Sequence, residues 1–243
     1  PVSLAAEIDS PSFLAIHPTG EFLYAVSGIG KDSPPMGSVH SFAIDRSTGA
    51  LKYMNQASSG GEGPCHVDID TTGKHLLVAN YIGESVAVLP INRDGTIGGP
   101  TDIHQHNGSS VNIERQEGPH PHSANLDSNN RFVYVADLGL DEVCVYELLA
   151  EGTLKYREQL SVDLKAGAGP RHFDFHPNGE YAYVINELDS TVTVFSLDGG
   201  KLDPIQTLST LPKEFAGISY TADIHVAKSG RFLYGSNRGH DSI

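Results

Sequence analysis

The chemistry that stands out in this chain is carried by two arginines, a glutamate and a histidine: Arg171, Arg238, Glu187 and His122. Planar, permanently charged guanidinium groups bind carboxylates, phosphates and developing oxyanions through paired donors. A histidine or glutamate beside them can take up and return a proton near neutral pH. Such a set would run acid–base chemistry on a small anionic substrate, and it calls for neither a metal nor a cofactor. What separates these four from other polar residues is their place in an internal repeat.

The stretch from Gly169 to Leu197, GPRHFDFHPNGEYAYVINELDSTVTVFSL, reads as three short strands with two tight connections. Runs rich in Val, Tyr, Phe and Thr, bounded by Gly, Pro, Asn and Asp, are strand signatures. The turn glycine Gly179 has counterparts at Gly20, Gly73, Asn130 and Gly230, at intervals of 53, 57, 49 and 51 residues. Asn is the ordinary residue that best tolerates the left-handed backbone a shared turn would need. A later turn carries Gly49, Gly95, Gly152 and Gly200. Four strands and two tight turns per ~50 residues is the period of a propeller blade. The expected fold is all-β, a β-propeller of four-stranded antiparallel blades.

Aligning the units on the turn glycine compares equivalent positions within one chain. Eight residues before it stand Ser12, Cys65, His122, Arg171 and Ala222, followed by Phe13, His66, Ser123, His172 and Asp223. Eight residues after it stand Gly28, Tyr81, Leu138, Glu187 and Arg238. In an up-and-down blade the start of the innermost strand and the end of the second lie at the same end. His122, Arg171, Glu187 and Arg238 should therefore ring one mouth of the channel. Beside them His172, Asp223 and His225 are candidate substrate contacts, together with the two arginines. Each site residue also has a structural reading: Arg171 with Glu187 as an ion pair within one blade, Arg238 as a solvated charge, His122 as an inner-strand histidine. Asn80, Asp137, Asn186 and Asn237 share another slot and read as turn-stabilising groups.

Composition narrows the classes. A formal charge of −14 argues against nucleic acid and anionic membranes as partners. Apolar runs such as LLVA, FVYVA and YAYVI are too short to span a bilayer as helices. Cys65 and Cys144 fall in strands of different units and read as free thiols, compatible with a reducing, cytoplasmic compartment. The HQH at 104–106 and HPH at 120–122 match no zinc spacing. Gly28-Ile29-Gly30-Lys31 lacks the parts of a phosphate loop, and there is no Gly-x-Ser-x-Gly elbow. Cys65 beside His66 reads as a buried thiol.

In order, residues 1–9 read as the last strand of a preceding unit. Unit 1 starts at Pro11, with an enlarged Ser27–Ser38 connection, and unit 2 runs from Gly63 to Ile97. A long polar connection, Gly98 to Pro119, holds His104, His106, Glu114 and Arg115. Unit 3 spans Pro119 to Tyr156, unit 4 spans Gly169 to Leu208, and unit 5 runs from about Thr221 to Ile243. About five units would leave a ring open, so residues 1–243 read as one propeller domain that is incomplete.

The segments GPHPHSANLD, GAGPRHFDFHPNGEYAYVINELDSTVTVF and TADIHVAKSGRFLYGSNRGHDSI resemble the lactonase family of seven-bladed propellers, from about residue 11 onward. The resemblance implies seven blades, with this chain a fragment lacking the start of the first and the last blades. It places the family's channel-mouth His, two Arg and Glu on His122, Arg171, Arg238 and Glu187. It implies hydrolysis of an anionic sugar lactone such as 6-phosphogluconolactone. A muconate-type lactonizing cycloisomerase and a non-catalytic binding propeller are the alternatives on the same scaffold.

Overall fold

A computed structural model describes residues 4–28 and 36–243. Three four-stranded antiparallel sheets follow the chain directly, each in simple up-and-down order. The first holds β1 (Pro11–Ile16), β2 (Phe22–Ser27), β3 (Ser38–Ile44) and β4 (Leu51–Ser58). The second holds β5 (Pro64–Ile69), β6 (His75–Asn80), β7 (Ser85–Pro90) and β8 (Asp102–Gln105). Next come β9 (Pro121–Leu126), β10 (Phe132–Asp137), β11 (Glu142–Leu148) and β12 (Leu154–Tyr156), where the short β13 (Val162–Asp163) also pairs with β11. The fourth sheet is β14 (Pro170–Phe175), β15 (Tyr181–Asn186), β16 (Thr191–Asp198) and β17 (Lys201–Ser209). The strands β18 (Tyr220–Val226) and β19 (Leu233–Arg238) form a two-stranded fifth. The first strands of successive sheets contact one another in series, β1 on β5, β5 on β9, β9 on β14 and β14 on β18. The sheets thus fan around a common axis as propeller blades.

The core lies between blades, and this explains the apolar runs. Along β6, Leu76 and Val78 pack towards blade 1 with Tyr24, Val26 and Val39, while Leu77 and Ala79 pack towards blade 3 with Val133 and Val135. Along β10, Phe132 and Tyr134 turn instead to Phe173, Val184 and Phe195 of blade 4. A strand covered on both faces needs apolar residues at every position, so the runs are continuous where one-sided burial would give alternation. Polar clamps join the blades at regular places. Tyr24 and Tyr134 donate to the carbonyls of Gly95 and Gly200 in the next blade, at 3.1 and 3.0 Å. Asp68 and Asp174 accept the backbone N–H groups of Leu126 and Val226, at 2.9 and 2.7 Å.

The turn slot behaves as its composition requires. Gly20, Gly73, Gly179 and Gly230 have φ between 69° and 74°, and Asn130 has φ 56°. Two expectations need correction. Residues 4–9 lie outside any strand, and residues 1–3 fall outside the described residues, as do Ile29 to Lys31 and most of the Ser27–Ser38 connection. The Gly98–Pro119 stretch is not all connection, because it contains β8, the outermost strand of blade 2. With sequence Asp-Ile-His-Gln and only alternate positions partly covered, β8 lacks the β-branched run that marks the inner strands.

Candidate active site

A recurrent irregularity places the site. In each blade the innermost strand carries a β-bulge at its start, between Pro11 and Phe13, Pro64 and His66, Pro121 and Ser123, Pro170 and His172, and Thr221 and Ile224. In the first four, the residue left without a ladder partner is Ser12, Cys65, His122 or Arg171. A bulged residue is re-aimed relative to the regular pleat. All four line one cavity of about 430 Å³ at the channel mouth, together with Phe13, Tyr81, Ile82, Arg115, His172, Glu187 and Arg238. The structure therefore brings His122, Arg171, Glu187 and Arg238 together.

Glu187 is the centre of the charge cluster. It is 3% exposed and follows β15, its N–H bonded to the Gly169 carbonyl at 2.6 Å. Its Oε2 accepts Arg171 Nε and pairs with Arg238 Nη2, each at 2.9 Å. Its Oε1 accepts Arg115 Nη2 at 2.5 Å. Burial works against ionisation of Glu187, but the Arg115 hydrogen bond and the charges of Arg238, Arg171 and Arg115 outweigh it and hold the carboxyl below its usual range. One carboxylate among three guanidinium groups leaves a positive excess in a chain of formal charge −14. Depth separates the arginines. The Arg171 side chain is 16% exposed and also donates to the Ala222 carbonyl at 2.6 Å, whereas Arg115 and Arg238 are 34% and 51% exposed.

His122 supplies a neutral imidazole. Burial first, then the Arg171 and His172 charges, lower its pKa well below the ordinary value. Its Nδ1 lies 3.7 Å from Cys65 Sγ, and its Nε2 makes no hydrogen bond to any described residue. Tyr81 and His172 stand edge-on to its ring, with centroids 5.3 Å away in both cases. The Cys65 thiol is pushed by burial up to about 12, so it stays protonated.

His172 lies at the boundary of a second cavity of about 270 Å³, sharing that position with Phe13. The Phe13, His66 and His172 rings pack together with centroids 4.4 to 5.6 Å apart, dividing the two spaces. Asp223 and His225, expected as substrate contacts, are not in the mouth cavity but line the second one. Strand alternation is the reason. The bulged slot faces the mouth, while the next residue and the one two further on face the inner channel, as His172 with Asp174 and Asp223 with His225 do. Asp223 is held there by His172 Nδ1 at 2.7 Å and His225 Nε2 at 2.9 Å.

The sequence reading missed Arg115 and Tyr81 as members of the site. Arg115 comes from the connection between blades 2 and 3, where no equivalent unit offers a comparison; its only signal was a charge next to the Gly118-Pro119-His120 run. His106, by contrast, is occupied on both ring nitrogens, by Asp137 Oδ2 at 2.6 Å and the Tyr146 hydroxyl at 2.8 Å. In the slot shared by Asn80, Asp137, Asn186 and Asn237, Asp137 bonds local turn backbone, accepting the Gly139 and Leu140 N–H groups. Asn80, Asn186 and Asn237 instead donate to the hydroxyls of Ser85, Thr191 and Ser242 across their turns, and Asn80 also to the distant Ser59 carbonyl.

The blades define a β-propeller with a strongly charged cavity at the mouth of its channel. Compared with known proteins, the chain matches the family described as lactonase, 7-bladed beta-propeller, over residues 1–243. It belongs to that family. It is 36% identical over 242 residues to a 6-phosphogluconolactonase of Bacillus subtilis, covering 99% of this chain and 67% of the relative. A 6-phosphogluconolactonase of Serratia proteamaculans is 39% identical over 227 residues, covering 93% and 63%. Among solved structures, the periplasmic gluconolactonase of Pseudomonas aeruginosa superposes with a TM-score of 0.90 at 32% identity, covering 97% and 67%. The chain spans about two thirds of the length of these relatives.

Proposed function

We propose that the mouth cavity hydrolyses an anionic sugar lactone of the 6-phosphogluconolactone type. The observation that carries this reading is a neutral His122 with an unengaged Nε2, opening on the same cavity as three guanidinium groups. The names of the relatives at 36% and 39% identity support it. In the mechanism, His122 takes a proton from water as its oxygen bonds to the lactone carbonyl carbon. Arg171, the deepest of the three cations, receives the oxyanion that develops on the carbonyl oxygen. When the bond from that carbon to the ring oxygen breaks, the His122 imidazolium returns the proton to the leaving alkoxide, giving the open-chain hydroxy acid. Arg238, half exposed at the rim, helps to anchor the substrate's negative group.

Glu187 is assigned a different part from that of base. With both oxygens held by arginines and its pKa lowered, it is a weak proton acceptor that fixes the guanidinium groups in place. The partner is a small molecule rather than nucleic acid or membrane, in keeping with the chain's formal charge of −14. No described helix is long and apolar enough to cross a membrane. The free, buried Cys65 and Cys144 support a cytoplasmic setting. The test is acid release from 6-phosphogluconolactone, followed at constant pH against the spontaneous rate. Wild-type protein should accelerate it, and His122→Asn should lose at least a hundredfold. No acceleration by the wild type would overturn the reading.

A further inference from the structure

Arg115 is built into the mouth by a device of its own. Arg115 and Gln116 donate their backbone N–H groups to the Asn112 carbonyl, at 3.2 and 2.7 Å, closing a tight turn. The Gln116 side chain, fully buried, donates to the Leu138 carbonyl at 2.8 Å and accepts the Asn112 N–H at 3.1 Å. Ser110 fastens the same loop to Asp141 at 2.6 Å. Asp141 in turn accepts the N–H groups of Gly167 and Gly169, at 2.6 and 2.7 Å, just ahead of the strand that carries Arg171. A buried glutamine and a buried aspartate thus fix the loop between them, and Arg115 projects from it into the cavity.

The charge count shows that pairing with Glu187 does not exhaust Arg115. Arg171 and Arg238 already engage Oε2 of the single carboxylate, and Arg115 adds a third cation on Oε1. A guanidinium has five N–H donors, and Glu187 engages one nitrogen of this group. The Arg115 guanidinium also stands 5.7 Å from the centroid of the Tyr220 ring, an aromatic face on which it can rest. A third of its side chain is exposed, and the residue lines the mouth cavity.

We propose that Arg115 is the specificity-determining contact of this site, its remaining donors holding the oxyanion substituent of the lactone while Arg171 serves the reacting carbonyl. This rests on the lactone reading of the mouth. The substituent is a phosphate ester or a carboxylate, whose shared chemistry is a multi-oxygen anion that accepts parallel N–H bonds.

The test separates binding from turnover. Calorimetric titration of the full chain with 6-phosphogluconate, glucarate and uncharged glucose is compared for wild type, Arg115→Met and Arg115→Lys. Wild type should bind one of the two anions and not glucose, and the preferred anion identifies the substituent. Arg115→Met should weaken that binding at least tenfold, and Arg115→Lys should recover part of the loss through its charge. In turnover, Arg115→Met should reduce the preference for the lactone bearing that anion over the uncharged lactone at least tenfold, with the loss in KM rather than kcat. Equal anion affinity in wild type and Arg115→Met, or no anion binding by wild type, would overturn the proposal. Arg115-dependent anion binding without any lactone turnover would leave Arg115 as the anion contact and overturn the hydrolase reading instead.

Discussion

Arg171 and Glu187 stand sixteen residues apart in the chain yet meet at 2.9 Å, Nε to Oε2, across the top of a single blade. The bulge that frees Arg171 from the β14 ladder and the strand end that carries Glu187 bring the two into register. Around this pair the other cations gather, and most consequences for activity and stability follow from it.

Glu187→Gln should keep the shape of the cluster while removing its only negative charge. Arg171, largely buried, would then lack its counter-charge, and breaking a buried pair costs about 3–5 kcal/mol. The half-exposed Arg238 can turn to water, so the lower end of that range is expected. Because the folded-state pKa of Glu187 is lowered, its contribution to stability is fully present above the unfolded value of about 4.3 and is lost as pH falls through the folded value. Thermal melts between pH 3 and 7 should show this acid-side loss in wild type and a smaller one in Glu187→Gln.

A second acid-sensitive window belongs to the histidines. His122, His66 and His172 all have folded pKa values lowered, each with burial as the first cause. The unfolded chain binds protons first, so stability is full above about pH 6.5 and falls as pH drops below it. The same shift keeps His122 in its base form, and the acid limb of kcat/KM should lie well below pH 6.5. A profile with its acid midpoint at or above pH 6.5 would contradict the assignment of His122 as the free base.

Cys65 lines the mouth but should be chemically quiet. With its thiol pushed up to about 12, alkylation by iodoacetamide at pH 7.5 should be far slower than for a free cysteine. Cys65→Ala should retain hydrolytic turnover within about tenfold, its effect confined to the packing beside His122. Rapid inactivation by the reagent, prevented by that substitution, would refute this.

The turn slot offers a test of the scaffold alone. Gly73 has φ 69°, and a Cβ there would run into the His17 ring of the neighbouring blade. Gly73→Ala should lower Tm by roughly 2–8 °C, from ~1–2 kcal/mol of left-handed strain. Asn130→Gly keeps that backbone freely but gives up the bonds to Thr71 N and Oγ1, and should cost about 1 kcal/mol.

Residues positioned by the repeat could be read from sequence. The turn glycines fix a register, and the bulge recurs at a constant offset from them, so His122, Arg171, Glu187 and Arg238 stood out as departures from their own slots. Arg115 could not be found that way, because it sits on a connection with no counterpart in other units. Its delivery depends on Gln116, Asn112 and Asp141, contacts that reveal themselves only in three dimensions. The placing of Asp223 and His225 in the second cavity has a simpler cause. Neighbouring positions on one strand face different cavities, and slot position alone did not say which. The strand β8 was hidden by its polar sequence, and the double-sided burial of β6 and β10 by the absence of alternation.

The bulged position has an implication for how such a cavity changes chemistry. Because Ser12, Cys65, His122 and Arg171 stand outside the hydrogen-bonded ladder, exchanging any of them leaves the strand pairing that builds each sheet untouched. The mouth therefore carries one such socket in each of the first four blades, fitted in turn with a hydroxyl, a thiol, an imidazole and a guanidinium. Ser12, whose hydroxyl donates to the Pro64 carbonyl of the next blade at 2.7 Å, holds the least reactive tool of that set: a stronger acid or base placed there would enter the mouth in exchange for a single link between two spokes of the wheel.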